Sequence, residues 1–359
     1  MQISLLSRGY FMRKVIPTPS SISVIWNYGS ILGLAIGVQI VSGIFLAIHY
    51  SIEVGFDRII HIIRDVPWGW IIRLIHANGA RVYFLLLFFH FGRRLYFKSY
   101  VTQPNRFLPG VTIILLRIAT AFIGYVLPWG QIRFWGATVI TQIIGAIPYI
   151  GTSIVYWLWG RYSVRVVTLS RFFIFHFLLP FVIVAVVIIH LYFLHRKGRT
   201  NPLGNLDNQS KIGFHPYFTY KDIVGFFLYG ILLLGVRGFA SFALMDPENF
   251  LDANPMVTPV HIQPEWYFLF AYAILRRIPS KVGGVIALAL SVTVYYVFVV
   301  SGDKIPSSMS LSHQVKFWSL VRAVLVLTFL GAQPVEAPFV QARIAFTVLY
   351  FLVCSLFLI

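Results

Sequence analysis

The chain has a single cysteine, Cys354, among 359 residues. That excludes a disulfide framework, a cysteine-ligated iron–sulfur cluster and the C-x-x-C-H attachment of covalent haem. Acidic side chains are scarce as well: 11 Asp and Glu stand against 29 Lys and Arg, and charged residues make up only 11% of the chain. Soluble domains carry roughly a quarter, so this composition does not build an ordinary water-facing surface. The first 21 residues show no long apolar stretch followed by a small-residue cleavage site, and no signal peptide is expected.

What is present is apolar length. Hydrophobic residues are 58% of the chain and aromatics 17%. Eight runs, at 28–48, 70–98, 107–127, 168–194, 222–243, 283–301, 316–331 and 342–359, come near the ~20 residues that a bilayer requires. The expected fold class is all-α: a polytopic membrane protein of about eight spans. A four-helix bundle would occupy 1–205 and a four-span region 206–359. A net charge of +18 in a soluble chain would suggest nucleic acid; here the basic residues sit at the ends of apolar runs, so membrane topology explains them and no nucleic-acid partner is expected. Arg8, Arg13, Lys14, Arg93, Arg94, Lys98, Arg106, Arg196, Lys197, Arg199, Lys211, Lys221, Lys304 and Lys316 fall on the side of the N-terminus, called side one. Their excess over acids places that side on the cytoplasm-equivalent face.

Four histidines break the apolar pattern. His76 and His90 lie 14 residues apart in the second run, and His176 and His190 lie 14 apart in the fourth. Fourteen residues are about 21 Å of helix and close to four turns, so each pair points to one side. One run separates the two helices, so they run in the same direction, and His76 shares a depth with His176 as His90 does with His190. Two bis-imidazole sites stacked across the bilayer follow, each suited to a noncovalent b-type haem. Glycine repeats the interval: Gly29 and Gly43 in the first run, Gly110 and Gly124 in the third. Glycine admits a flat group or another backbone, so two helices ligate and two leave room for the macrocycle edges. Isolated core histidines bonded to neighbouring helices would not be expected to share one interval across four spans. Arg73 precedes His76 by three and Arg93 follows His90 by three, placed to reach outward to haem propionates.

Two ligated haems leave no coordination position for oxygen, which argues for electron transfer. A quinol is the lipid-soluble donor that releases protons with its electrons. On side two, Pro264 and Glu265 open the aromatic stretch Trp266, Tyr267, Phe268. Burial there favours the neutral acid, whereas a helix start favours the charged one; Glu265 is therefore either a proton acceptor or a helix-start acid. The segment 124–142 breaks at Pro128 and restarts as an amphipathic stretch that could wall a lipid-facing pocket. On side one His195, Lys221, Asp222 and Ser30 sit at span ends and could bind a quinone.

The motifs HANGA, GYVLPWGQ, FWGATVIT, IPYIG, RFFIFHFLLP, FHPYFTYKD, PEWYFLFAYAILR and GGV resemble mitochondrial cytochrome b, the di-haem core of ubiquinol–cytochrome c oxidoreductase (complex III). The resemblance implies a low-potential haem at His76/His176 and a high-potential one at His90/His190. It implies quinol oxidation at Glu265, with Tyr125, Gly136, Pro264, Trp266, Tyr267 and Tyr272 nearby, and quinone reduction beside His195, Lys221, Asp222 and Ser30. Ser99 joins Arg73 and Arg93 among the haem-binding candidates. Partners would be an iron–sulfur protein, a c-type cytochrome and further subunits, in a dimeric complex in the mitochondrial inner membrane with the N-terminus in the matrix. Arg94, Arg133, Arg165 and Arg196 stand where the family pattern has small, polar or acidic residues, and Thr200 where asparagine is frequent. The chloroplast type divides the chain before its PEWY half and has one more residue in the second histidine pair. A proton-coupled transporter would use membrane histidines as relays, but it gives no reason for four matching intervals and would purify colourless.

Overall fold

The computed structural model describes residues 17–202, 211–301 and 310–359. Arg8, Arg13, Lys14 and Lys304, which entered the charge argument, lie outside them. Among the described residues, eight helices are long and apolar enough to cross a membrane.

In chain order the first is α1 (Tyr28–His49), followed by α2 (Gly55–Arg64) on the surface of side two. Helix α3 (Gly69–Tyr96) carries the first histidine pair; a one-turn α4 (Ser99–Thr102) leads to α5 (Pro104–Val126). Proline at the start of α5 is well placed, because its missing N–H is one the helix would leave unpaired. The expected break at Pro128 is found, and α6 (Gln131–Ile144) and α7 (Gly151–Trp159) form a hairpin before α8 (Val166–Lys197), the second histidine helix. The backbone of Arg165 donates to Thr168 Oγ1 at the start of α8, and Gly198 at φ +77° ends it, a left-handed position that favours glycine.

Then come α9 (Tyr217–Phe239), α10 (Leu269–Arg277), α11 (Lys281–Thr293, continued as a 3₁₀ turn to Val300), α12 (Leu311–Gly331) and α13 (Phe339–Leu356). The fifth span lies about a turn earlier than expected from hydropathy, because the polar group Thr219, Lys221, Asp222 is already helical. Outside the helices, Pro17–Pro19 pairs antiparallel with Lys211–Gly213.

Hydrogen bonds between distant segments sort the loops by side. On side one, Gln103 and Arg106 donate to Gly198 O, Lys221 Nζ donates to Ile22 O at 2.7 Å, and His313 bonds Tyr96 O. On side two, Tyr50 donates to Leu127 O at 2.6 Å and Gly130 bridges to Asp252. This is the alternation that eight spans with parallel histidine helices require.

The N-terminal bundle is two walls. Helix α1 packs along α3 and α5 along α8, while the two pairs touch each other only sparsely. Each wall is one histidine helix backed by one glycine helix, and a slot runs between them. Helix α9 closes against α1 and α3, and α10, α12 and α13 pack together as the remaining layer.

Candidate functional site

The slot contains two cavities. The larger, about 200 Å³, is lined by Gly43, Arg73, His76, Arg81, Arg117, Gly124, Tyr125, Arg133, His176, Glu265 and Tyr267 among others. The smaller, about 30 Å³, is lined by His90, Arg94, Ser99, Arg106, Gly110 and His190 with apolar neighbours. His76 thus shares a cavity with His176, and His90 with His190, as the parallel direction of α3 and α8 requires.

The His76 and His176 rings face each other with centroids 6.2 Å apart and planes at 81°. Their outer nitrogens are tied down. His176 Nδ1 lies 2.9 Å from Thr120 O, which can only accept, so Nδ1 carries the proton. Ser42 Oγ donates to Val38 O at 2.7 Å, so it accepts from His76 Nδ1 at 2.9 Å. Both rings are therefore held in the tautomer whose Nε2 lone pair is free.

Each of the four slot glycines lies against one histidine ring. An added Cβ at Gly43 would sit 3.1 Å from His76 Cε1, at Gly29 3.2 Å from His90 Cε1, and at Gly110 3.4 Å from His190 Cε1; at Gly124 it would collide with the His176 ring. Each glycine thus makes room for one imidazole against the neighbouring helix, one glycine per histidine. Gly124→Val should displace His176 and lower the haem-to-chain ratio, measured by pyridine haemochrome. Gly37→Ala on α1, where a Cβ meets nothing within 4 Å, should leave the ratio unchanged.

Glu265 does not cap its helix. It precedes a 3₁₀ turn, Trp266–Phe268, without a side-chain capping bond. Its carboxylate instead receives Arg81 Nε at 3.0 Å and Arg81 Nη2 at 2.5 Å, with both side chains buried. Arg81 also donates to Asn78 Oδ1. This bidentate partner, 184 residues away in sequence, was not anticipated. Tyr267 stacks on Phe84 with centroids 4.0 Å apart. Burial, with Glu265 next, pushes the Tyr267 phenol well above its usual range, so it is a neutral hydroxyl. Tyr125 accepts from Asn249 Nδ2, and the Arg133 guanidinium lies 5.1 Å over its ring.

Other expected members stand back from the cavity. Gly136 faces open space, Pro264 and Trp266 do not line it, and Tyr272 spends its hydroxyl on Ile262 O. Arg73 lines the first cavity, with Nη1 lacking a hydrogen-bond partner. Arg93 does not line the second. It lies 4.9 Å over the Trp26 ring, and Arg94 and Arg106 take the cavity wall beside Ser99. Arg171, on the partner helix, stacks over Trp157.

On side one Asp222 accepts from Ser30 Oγ at 2.8 Å and lies 3.9 Å from Arg199 Nη2. Asn27 Nδ2 donates to Lys221 O, which holds this helix start against α1. His195 is exposed at the end of α8. Arg199 was not singled out in the sequence; burial lowers its pKa and Asp222 opposes that shift.

Eight membrane spans among the described residues and two imidazole pairs, each sharing one cavity of the slot, define the architecture of an intramembrane histidine-pair protein, of the kind that holds flat prosthetic groups between helices. Family models described as cytochrome b/b6/petB and cytochrome b (C-terminal)/b6/petD match residues 13–198 and 252–351. The chain belongs to the cytochrome b family, whose members carry b-type haems. It is 56% identical over 342 residues to cytochrome b of Albinaria caerulea, covering 94% of this chain and 93% of that one. It is 50% identical over 349 residues to cytochrome b of Cepaea nemoralis, covering 96% and 92%. A chain of the solved structure titled "Hyperthermophilic respiratory Complex III" matches with a TM-score of 0.93 at 30% identity, covering 99% of this chain and 96% of that one.

Proposed function

We propose that the chain is the electron-transferring core of ubiquinol–cytochrome c reductase, complex III, with one noncovalent haem held by His76 and His176 and a second by His90 and His190. The observation that carries this reading is the first histidine pair. The two ring centroids lie 6.2 Å apart across the slot, and with both Nδ1 atoms hydrogen-bonded each Nε2 lone pair is left free, so His76 and His176 would hold a haem between them. The four glycine cradles and the unpaired Arg73 Nη1 beside the first cavity fit the same group. When bound, the haems supply one-electron carriers at two depths of the bilayer, the 76/176 site at lower potential.

The chain's own residues supply positions and protons. Tyr267, Tyr125 and the Arg81–Glu265 pair face the first cavity near side two, where quinol oxidation would take place. Glu265 Oε1 and Oε2 are the carboxylate acceptors there; each takes one Arg81 N–H and keeps a second lone pair for a proton. At the other face the Asp222 carboxylate, oriented by Ser30, and exposed His195 would deliver protons to a quinone, while Lys221 anchors the helix start through Ile22 O. An iron–sulfur protein and a c-type cytochrome would take one of the quinol's two electrons outside this chain, in a dimeric complex of the mitochondrial inner membrane with the N-terminus in the matrix.

The test is stoichiometric. The purified protein should carry two haems per chain, all extractable by acid acetone, with reduced spectra of b type. One haem per chain would sink the pairing, and a colourless preparation would favour a transporter.

A further inference from the structure

Between the two histidine layers lies a third. Arg117 on α5 is seven residues from Gly110 and seven from Gly124, so it faces the slot midway between the cradles of His190 and His176. Tyr83 on α3 stands in the same relation to His76 and His90, and the Arg117 guanidinium lies 4.0 Å over its ring. Ile36 on α1 and Ile183 on α8 occupy the matching positions of the other helices, and both are buried.

Arg117 is itself buried, and its Nε and Nη2 have no hydrogen-bond partner. No ion pair of it is found among the described residues. The carboxylate that shares its cavity, Glu265, is already held by Arg81. An arginine at mid-bilayer depth is expensive and ordinarily marks function. The Tyr83 face compensates part of that cost and fixes the charge in place. Arg117 lines the first cavity and not the second, so its field falls unequally on the two histidine pairs.

We propose that Arg117 is a fixed positive charge that raises the reduction potential of the haem at His76/His176 relative to the one at His90/His190, and so sets the driving force between them. The inference rests on the haem assignment above. Reducing a haem adds one negative charge, and in a medium of low dielectric a nearby cation stabilises that state. Tyr83 acts as the positioning residue for the guanidinium. The effect is one of equilibrium and needs no contact between Arg117 and iron.

The experiment is a spectroelectrochemical titration of the intact complex carrying Arg117→Gln, Arg117→Met or Arg117→Lys. The 76/176 haem is identified as the one that His76→Leu removes. Either neutral variant should lower the midpoint potential of that haem more than that of the other, shifting the distribution of one electron between them several-fold; Arg117→Lys should stay near wild type. Unchanged midpoints in a neutral variant with two haems per chain overturn the proposal and leave the haem assignment standing. Wild-type protein without two haems overturns the assignment instead. Failure of both neutral variants to assemble, with Arg117→Lys assembling normally, assigns the charge to folding and also overturns it. So does a peptide mass from the native protein that shows a residue other than arginine at 117.

Discussion

His76→Leu should reduce the haem content from two per chain to one, and the surviving haem should be that of His90 and His190. Leucine fills much of the volume of the imidazole but offers no lone pair, so His176 alone would remain to hold the haem while the slot keeps its apolar lining. The second cavity shares no lining residue with the first, and its ligands sit about 21 Å of helix away. The reduced-minus-oxidised spectrum, quantified against protein, reads the outcome directly. Retention of two haems, or evidence that His76 and His190 bind one iron, would mean that α3 and α8 do not pair at equal depth. Ser42→Ala makes a milder companion variant. It removes the acceptor that orients His76 Nδ1 and leaves the ligand itself in place, so the haem should persist with weakened binding; losses of 10–100-fold in affinity are typical for such outer partners.

The features that could be read from the sequence are those a helix repeats. The 14-residue interval survives because four turns return a side chain to the same face, so depth and pairing follow from spacing and helix direction alone. Span positions were likewise set by apolar length, with errors confined to ends such as Thr219 to Asp222, where polar residues continue a helix. What spacing could not provide was which neighbour a side chain meets across the slot. Spacing places the glycines beside a macrocycle, and the structure adds that each lies against one imidazole. The offset of three from His90 points to Arg93 as a propionate partner; in the structure Arg93 lies over Trp26 with Nε and Nη1 unpaired, and Arg94 lines the second cavity. A one-residue change of position rotates a side chain by about 100°, and aromatic partners from another helix decide which arginine is drawn away. Arg81 carried no local signal at all. Its significance is its contact with Glu265, which only the approach of the C-terminal layer to α3 creates. The departure arginines divide in the same way: Arg94 and Arg133 line the cavities, whereas Arg165 reaches Ser163 at the start of α8.

Glu265→Gln should slow quinol oxidation by roughly 10²- to 10⁴-fold, the usual span for loss of a general acid–base group, with both haems retained. The Arg81 pair makes this variant harder to interpret than a simple base deletion. In wild type each carboxylate oxygen receives one guanidinium N–H, at Oε2 from Nε and at Oε1 from Nη2. Glutamine keeps one acceptor and turns an NH₂ group toward a donor, so it breaks part of a buried charged pair as well as removing the base. Breaking such a pair from one side commonly costs about 3–5 kcal/mol, because the remaining charge is left uncompensated. Slower turnover in Glu265→Gln alone could then reflect a displaced PEWY segment. The second arm of a double-mutant cycle separates the two causes. Arg81→Gln leaves the carboxylate without its guanidinium, and Arg81→Gln/Glu265→Gln replaces the ion pair by two neutral amides that can bond each other. A structural role predicts that the double variant recovers turnover relative to Glu265→Gln. A proton-accepting role predicts that it stays slow, since neither amide can take the quinol proton, while Arg81→Gln alone keeps substantial activity with a changed pH profile. Recovery of wild-type turnover across the pH range in the double variant, with two haems per chain, would assign Glu265 to holding the segment against α3 and would move the proton acceptor elsewhere in the cavity.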